Sequence, residues 1–111
     1  MLTFVEDNKD VNIYLDLRKK VNWIELTTKQ AQKALDNSLK IVTVYDDGEP
    51  IGMGRIVGDG AVICYIQDLI IIPEYQGKHI GSMLIEKLIS YVKSITIPDS
   101  RMMLCLMCAK G

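Results

Sequence analysis

Residues 68–82 read DLIIIPEYQGKHIGS, an apolar run giving way to a stretch rich in glycine and small polar residues. Gly77 and Gly81 carry no side chain to keep an anion off the main chain. A helix that starts here presents unpaired N–H groups and the positive end of its dipole. With GKHIGS as its first turn and Lys78 as a point charge at the rim, the junction suits a phosphate. His79, the one histidine of the chain, titrates in a range that suits a general base. A base must reach the attacking atom, however, and a place beside phosphates argues against that role. Asp68 is the second candidate, as a proton acceptor directly or through water. Its alternative is a carboxylate bonded to backbone amides at a β-bulge. Cys105 and Cys108 form a CxxC, but a structural zinc site needs four ligands and only Cys64 and His79 remain to complete one. Residues three apart on a strand also point to opposite faces. All three cysteines are therefore expected to be buried thiols, with no metal.

These residues must be positioned by the elements around them. Residues 3–6 read as a short strand, and DNKD supplies the N-cap of a helix with Val11, Tyr14, Leu15 and Arg18 on one side, ending near Lys20. Thr27 and Gln30 fit a capping box, followed by Ala31, Ala34 and Leu35 at helical spacing as far as Asn37 and Ser38. From Leu39 the period changes. KIVTVY is β-branched, DDGE is a turn, PIGMGRIV is a second strand, GDG is another turn, and AVICYIQDLIII is the most buried strand, apolar on both faces. Three strands joined by tight turns make an antiparallel meander that helices must cover. After Pro73 a helix carries Ile80, Met83, Leu84, Leu88, Val92 and Ile95 on one side, and Pro98 with Asp99 ends it. SRMMLCLMCA then reads as a buried strand, so strand, helix and strand form a crossover that implies a parallel pair. The expected class is α/β, with an α+β mixed sheet, in one domain over residues 1–111.

Composition narrows the function. A net charge of −1 argues against electrostatic capture of nucleic acid. The apolar run at residues 61–72, broken by Gln67 and Asp68, is too short to span a bilayer, so no membrane partner is expected. The N-terminus carries acids where a signal peptide would carry a basic region, which implies a cytoplasmic protein.

The glycine pattern excludes two phosphate loops. A P-loop places Lys-Ser or Lys-Thr after its last glycine, whereas Gly81 is followed by Ser82 and Met83. A dinucleotide fingerprint fails as well, because Gly81 lies four residues after Gly77 and the flanking strands form a meander. The stretch instead resembles motif A of the GNAT N-acetyltransferase superfamily, in which Asp and three apolar residues lead into Gln/Arg-x-x-Gly-x-Gly/Ala. Pro73, Tyr75, Gln76, Gly77, Ile80 and Gly81 fit, and His79 departs where the pattern has glycine. That departure is mild if His79 keeps helical dihedrals and serious if the position needs a positive φ. The order of elements also resembles that family, with IGMGRIVGDG similar to its third strand and following turn.

The resemblance implies an acyl-CoA N-acyltransferase fold and acetyl-CoA as co-substrate, with no metal. It implies that the strand bearing Leu69, Ile70 and Ile71 separates from its parallel neighbour and pairs with pantetheine amides. The pyrophosphate would then rest on the amides of Gly77, Lys78, His79, Ile80, Gly81 and Ser82, next to Gln76. An N–H near Ile70 would stabilise the oxyanion while an amine, of a small molecule or a peptide, attacks directly in a ternary complex. Trp23 and Glu25 would border the acceptor pocket, Trp23 serving otherwise as a lid over the core. Arg55 and Asp59 either address the acceptor or form a surface ion pair. Family members continue with a helix, often bearing the tyrosine that protonates the leaving thiolate, and two more strands. The chain is therefore expected to be C-terminally incomplete, with an open strand edge that dimerisation would cover. Two other functions stay open: a non-catalytic acetyl-CoA-binding or regulatory module, and a nucleotide-binding module.

Overall fold

A computed structural model describes residues 1–106; Cys108 and the end of the strand expected from the sequence lie outside the described residues. Five strands form one mixed sheet in the order β1 (Leu2–Glu6), β2 (Lys40–Asp46), β3 (Glu49–Gly58), β4 (Ile63–Ile71) and β5 (Met103–Leu106). The first three pairings are antiparallel, and β4 with β5 is parallel. Helices α1 (Val11–Lys20) and α2 (Thr28–Asp36) lie between β1 and β2 in sequence, while α3 (Ile80–Ile95) makes the crossover from β4 to β5.

Local chemistry explains the boundaries. Asp10 caps α1 by accepting from the Asn12 and Ile13 amides, and Thr27 with Gln30 forms the capping box of α2. The β2–β3 turn puts Asp47 at φ 47° and Gly48 at φ 87°, the two left-handed residues that a type I′ hairpin needs. Asp59 accepts from the amides of Ala61, Val62 and Ile63 and so closes the β3–β4 turn. Those amides, led by that of Ile63, hold its carboxyl below the usual carboxylate range.

The helices flank the sheet. On one face α3 packs against β2, β3 and β4, approaching so closely at Gly54 that a Cβ there would lie 2.8 Å from Leu88 Cδ1. On the other face lie α1 and α2, reached from β3 by Arg55, which donates to the Ala34 carbonyl of α2. Along β4 burial alternates. Cys64, Ile66, Asp68 and Ile70 are sealed, whereas Leu69 and Ile71, on the α3 face, keep part of their surface. The strand is thus not buried equally on both faces, as its apolar run suggests. Cys64 is buried, and Cys105 only half-buried.

The junction after β4 also departs from expectation. Pro73–Tyr75 forms a short 3-10 turn, Gly77 takes φ 78°, and His79 sits at φ 63°, ψ 12°, so that α3 begins only at Ile80. GKH is therefore a loop and not the first helical turn, because a left-handed residue cannot propagate a right-handed helix. The loop is held where it leaves the 3-10 turn, by two adjacent side chains. Tyr75 donates its hydroxyl to Asp46 Oδ2 at 2.6 Å, and Gln76 Nε2 donates to the Ile71 carbonyl at 2.9 Å.

Two stability outcomes follow. His79 pays the left-handed penalty that glycine avoids, partly offset by the greater freedom of glycine in the unfolded chain. His79→Gly should therefore stabilise by about 1 kcal/mol and raise Tm by roughly 4–8 °C; a lower Tm would mean that the imidazole contributes more than its backbone costs. At Gly52 an added Cβ would stand 2.6 Å from the Ile70 carbonyl oxygen and 2.8 Å from Ile71 Cδ1. Gly52→Ala should cost about 1–3 kcal/mol in a thermal or urea melt, and an unchanged midpoint would contradict the close approach of β3 to β4.

Candidate active site

The loop and the start of α3 enclose a cleft of about 310 Å³ that includes Ile71, Gln76, Gly77, His79, Gly81 and Ser82 among its lining residues. The first amide of α3 that bonds back along the helix is that of Met83, to the His79 carbonyl. The Ile80, Gly81 and Ser82 amides precede that ladder, and the N-cap residue His79 makes no capping bond with its side chain. They form a donor cluster at the positive end of a 16-residue helix dipole. Lys78 adds its charge from above the Tyr75 ring, with Nζ 5.3 Å from the centroid. Gly81 keeps the approach open, since an added Cβ would meet only Ile71 Cγ1 at 3.9 Å.

A larger cleft, about 940 Å³, runs between α3 and the β1–β2 side of the sheet, lined in part by Phe4, Lys40, Met83, Lys87 and Tyr91. Size does not make it the better anion site. Lys40 is paired with Glu6 at 3.2 Å and Asp7 at 3.1 Å, while the smaller cleft offers open amides.

The edge of β4 leads to that smaller cleft. The Ile72 amide donates to the Ile51 carbonyl of β3, so by the alternation of an antiparallel ladder Ile70 faces β3 and the polar groups of Leu69 and Ile71 face the opposite edge. The Gln76 amide at the Ile71 carbonyl agrees with this. Pairing with β5 is described as far as Ile66 opposite Leu106. Whether the two strands separate beyond that point involves residues outside the described ones.

A buried charge cluster lies at the middle of β4. Met53 pairs with Ile70 and Arg55 with Gln67, so Asp68 and Leu69 together oppose Gly54 and form the expected bulge, with Asp68 at φ 53°. Its carboxylate does not bind backbone amides as the sequence suggests. It accepts from Tyr14 Oη at 2.6 Å, Arg55 Nε at 2.6 Å and Arg18 Nη1 at 3.0 Å. Burial, and then the bond to Asp68, push the Tyr14 phenol above its usual range, so it remains a donor.

Arg55 is accordingly neither a surface ion pair with Asp59 nor an open acceptor ligand. Its Nη1 turns inward to Ser38 Oγ and the Ala34 carbonyl, because the bulge brings a buried anion beside it. Trp23 and Glu25 do share a cleft, about 530 Å³, with Arg18, Asp16, Lys19 and Leu26. Trp23 is half-buried against the Arg18 guanidinium, 5.2 Å from its ring centroid, and Glu25 is exposed. His79 stays at the phosphate-type cleft, away from Asp68. Burial pushes the Cys64 thiol up, which leaves it unreactive.

Sequence reasoning missed Tyr14 and Arg18 as partners of Asp68. Their signal was present: Arg18 shares one helix face with Val11, Tyr14 and Leu15, and a guanidinium on an apolar face needs a buried anion. Chemically, the molecule offers an anion cradle, a strand edge leading from it, and a cleft beyond the bulge.

Comparison with known proteins places this architecture. The acetyltransferase (GNAT) family model matches residues 10–106. A probable acetyltransferase of unknown function from methicillin-resistant Staphylococcus aureus superimposes with a TM-score of 0.86 at 31% identity, over 98% of this chain and 80% of that one. A GNAT-family acetyltransferase from Streptococcus pneumoniae does so with a TM-score of 0.81 at 28% identity, over 100% of this chain and 78% of that one. An uncharacterized N-acetyltransferase, ycf52, of Pyropia yezoensis is 27% identical over 85% of this chain and 58% of its own length. The chloroplastic GCN5-related N-acetyltransferase 2 of Arabidopsis thaliana is 32% identical over 72% of this chain and 39% of its own length. The chain thus spans less than two thirds of these curated relatives. With the mixed sheet, the β4 bulge and the glycine loop before α3, the matches lead to one conclusion: this chain belongs to the GNAT family of acetyltransferases.

Proposed function

We propose that the protein binds acetyl-CoA and transfers its acetyl group to a primary amine, of a small molecule or a peptide, by direct attack. The observation that carries the cofactor assignment is the set of open amides at Ile80, Gly81 and Ser82, placed behind two left-handed residues and beside the outward-facing edge of Ile71. The pyrophosphate would take those amides, with Gly77, Lys78 and His79 lining its approach and Gln76 holding the loop. Pantetheine would run along the Leu69 and Ile71 edge as an added strand. The same alternation favours the Leu69 or Ile71 amide over that of Ile70 as the oxyanion donor. In the transfer, the amine nitrogen bonds to the thioester carbonyl carbon, the oxyanion collapses, the C–S bond breaks, and the proton lost by nitrogen ends on the thiolate or in water.

One observation favours the second reading, a non-catalytic acetyl-CoA-binding module. The Asp68 carboxylate is held by two guanidinium groups and a phenol, which leaves it poorly placed to take a proton from an amine. Thiol release in the presence of amines separates the two readings. No helix among the described residues is long and apolar enough to cross a membrane. The Arabidopsis relative is chloroplastic, which counts against carrying the cytoplasmic expectation over to this chain.

Acetyl-CoA at a hundred times its Kd should stabilise the protein by about 2.7 kcal/mol, a Tm shift of roughly 10 °C or more. A folded sample unmoved by millimolar acetyl-CoA would refute the cofactor assignment. Gly81→Leu should fold, because its Cβ has room, and should lose the shift. Retained binding would count against the phosphate cradle.

A further inference from the structure

We infer that Arg18 is a positioning residue for the cleft around Trp23, and that Asp68 acts through it as an anchor and not as the base of the transfer. This rests on the acetyltransferase reading above and adds to it a coupling between the cofactor strand and the segment joining α1 to α2.

Three features of Arg18 carry the inference. Its Nη1 donates to Asp68 Oδ1 at 3.0 Å, at the bulge next to the Leu69 edge, while its Nη2 donates to the Ile24 carbonyl at 3.0 Å. Its guanidinium carbon lies over the Trp23 ring, 5.2 Å from the centroid, and the Trp23 amide donates back to the Arg18 carbonyl at 3.1 Å. One side chain therefore fixes residues 23 and 24, at both main chain and ring, relative to a bulge on the central strand. Ile24 is 83% exposed, and Trp23, which packs only partly against the core, follows Asn22 at φ 58°.

The third feature is a cost. Arg18 Nε is buried without a hydrogen-bond partner among the described residues, which is unfavourable, and a buried ion pair alone is weak evidence of stabilisation. An apolar side chain would fill this site without either cost, but it would not link the bulge to the segment. Lysine would not do so either, since it cannot present a planar fork to two acceptors while stacking on an indole. Asp68 in turn accepts from three donors on two elements, α1 and β3. Arg55 and Tyr14 fix the carboxylate in place, and Arg18 uses it as a fixed point.

Trp23 is the only tryptophan, so its emission reads this segment alone. Arg18→Met should red-shift the emission and raise quenching by acrylamide. Asp68→Asn should do the same, although Asp68 is not a neighbour of the indole. The double variant should show no further change, and Arg18→Lys should not restore the wild-type signal. The acetyl-CoA thermal shift should survive in Arg18→Met, and with any amine of a panel of spermidine, phenethylamine, kanamycin and a lysine peptide that supports turnover, KM for the amine should rise while KM for acetyl-CoA holds. The inference is overturned if Asp68→Asn leaves Trp23 unchanged, if the two substitutions add, if lysine restores the signal, or if Arg18→Met loses acetyl-CoA binding. Should Asp68→Asn fail to fold, the Arg18 variants at the more accessible residue still decide through the lysine test. A wild type that shows no acetyl-CoA shift would refute the acetyltransferase reading while leaving the fluorescence result readable.

Discussion

A carboxylate buried at a left-handed position in the middle of β4 is the constraint on which the two halves of the molecule depend. Asp68 is 8% exposed, and an anion in such a place must be paired and hydrogen-bonded to be tolerated. Its three donors come from α1 and β3, so satisfying one charge fixes the helix layer to the sheet and keeps the bulge in place. The backbone consequence is equally direct. By adding a residue to β4, the bulge interrupts the ladder with β3 ahead of Leu69, from which point the strand runs toward the glycine loop.

The loop is constrained by different means. Asp46, on β2, accepts from Tyr75, and that bond is the first cause holding its carboxyl below the usual range. Gln76 ties the next residue back to β4. From that fixed entry, Gly77 and His79 take left-handed conformations and turn the chain into α3 with its first amides open. A histidine at such a position is uncommon, although histidine tolerates it better than most residues. Side chains hold this loop, so its form survives a residue that glycine would replace with less strain.

Much of this was legible in the sequence. The three-strand meander, both caps, the Asp-Gly turn and the parallel crossover follow from local periods and turn chemistry, because each depends on residues close together in the chain. The Gln76 to Gly81 spacing located the cradle for the same reason. What was not legible is non-local. That GKH forms a loop depends on a tyrosine reaching a strand 29 residues away. The partners of Asp68 lie 13, 50 and 54 residues from it, so Arg55 read as a surface residue and Asp68 as a bulge carboxylate served by amides. Only Arg18 on an apolar helix face hinted at the cluster.

In the reading proposed above, a coenzyme A thioester lies on the α3 N-terminus and the β4 edge. Amide chemical shifts followed by two-dimensional 15N–1H NMR during an acetyl-CoA titration report that contact residue by residue. The largest changes should fall on Gly77, Ile80, Gly81 and Ser82 and continue to Leu69 and Ile71. Changes concentrated at Phe4, Lys40, Lys87 and Tyr91, along the wider groove beside α3, would contradict it, as would no change at all.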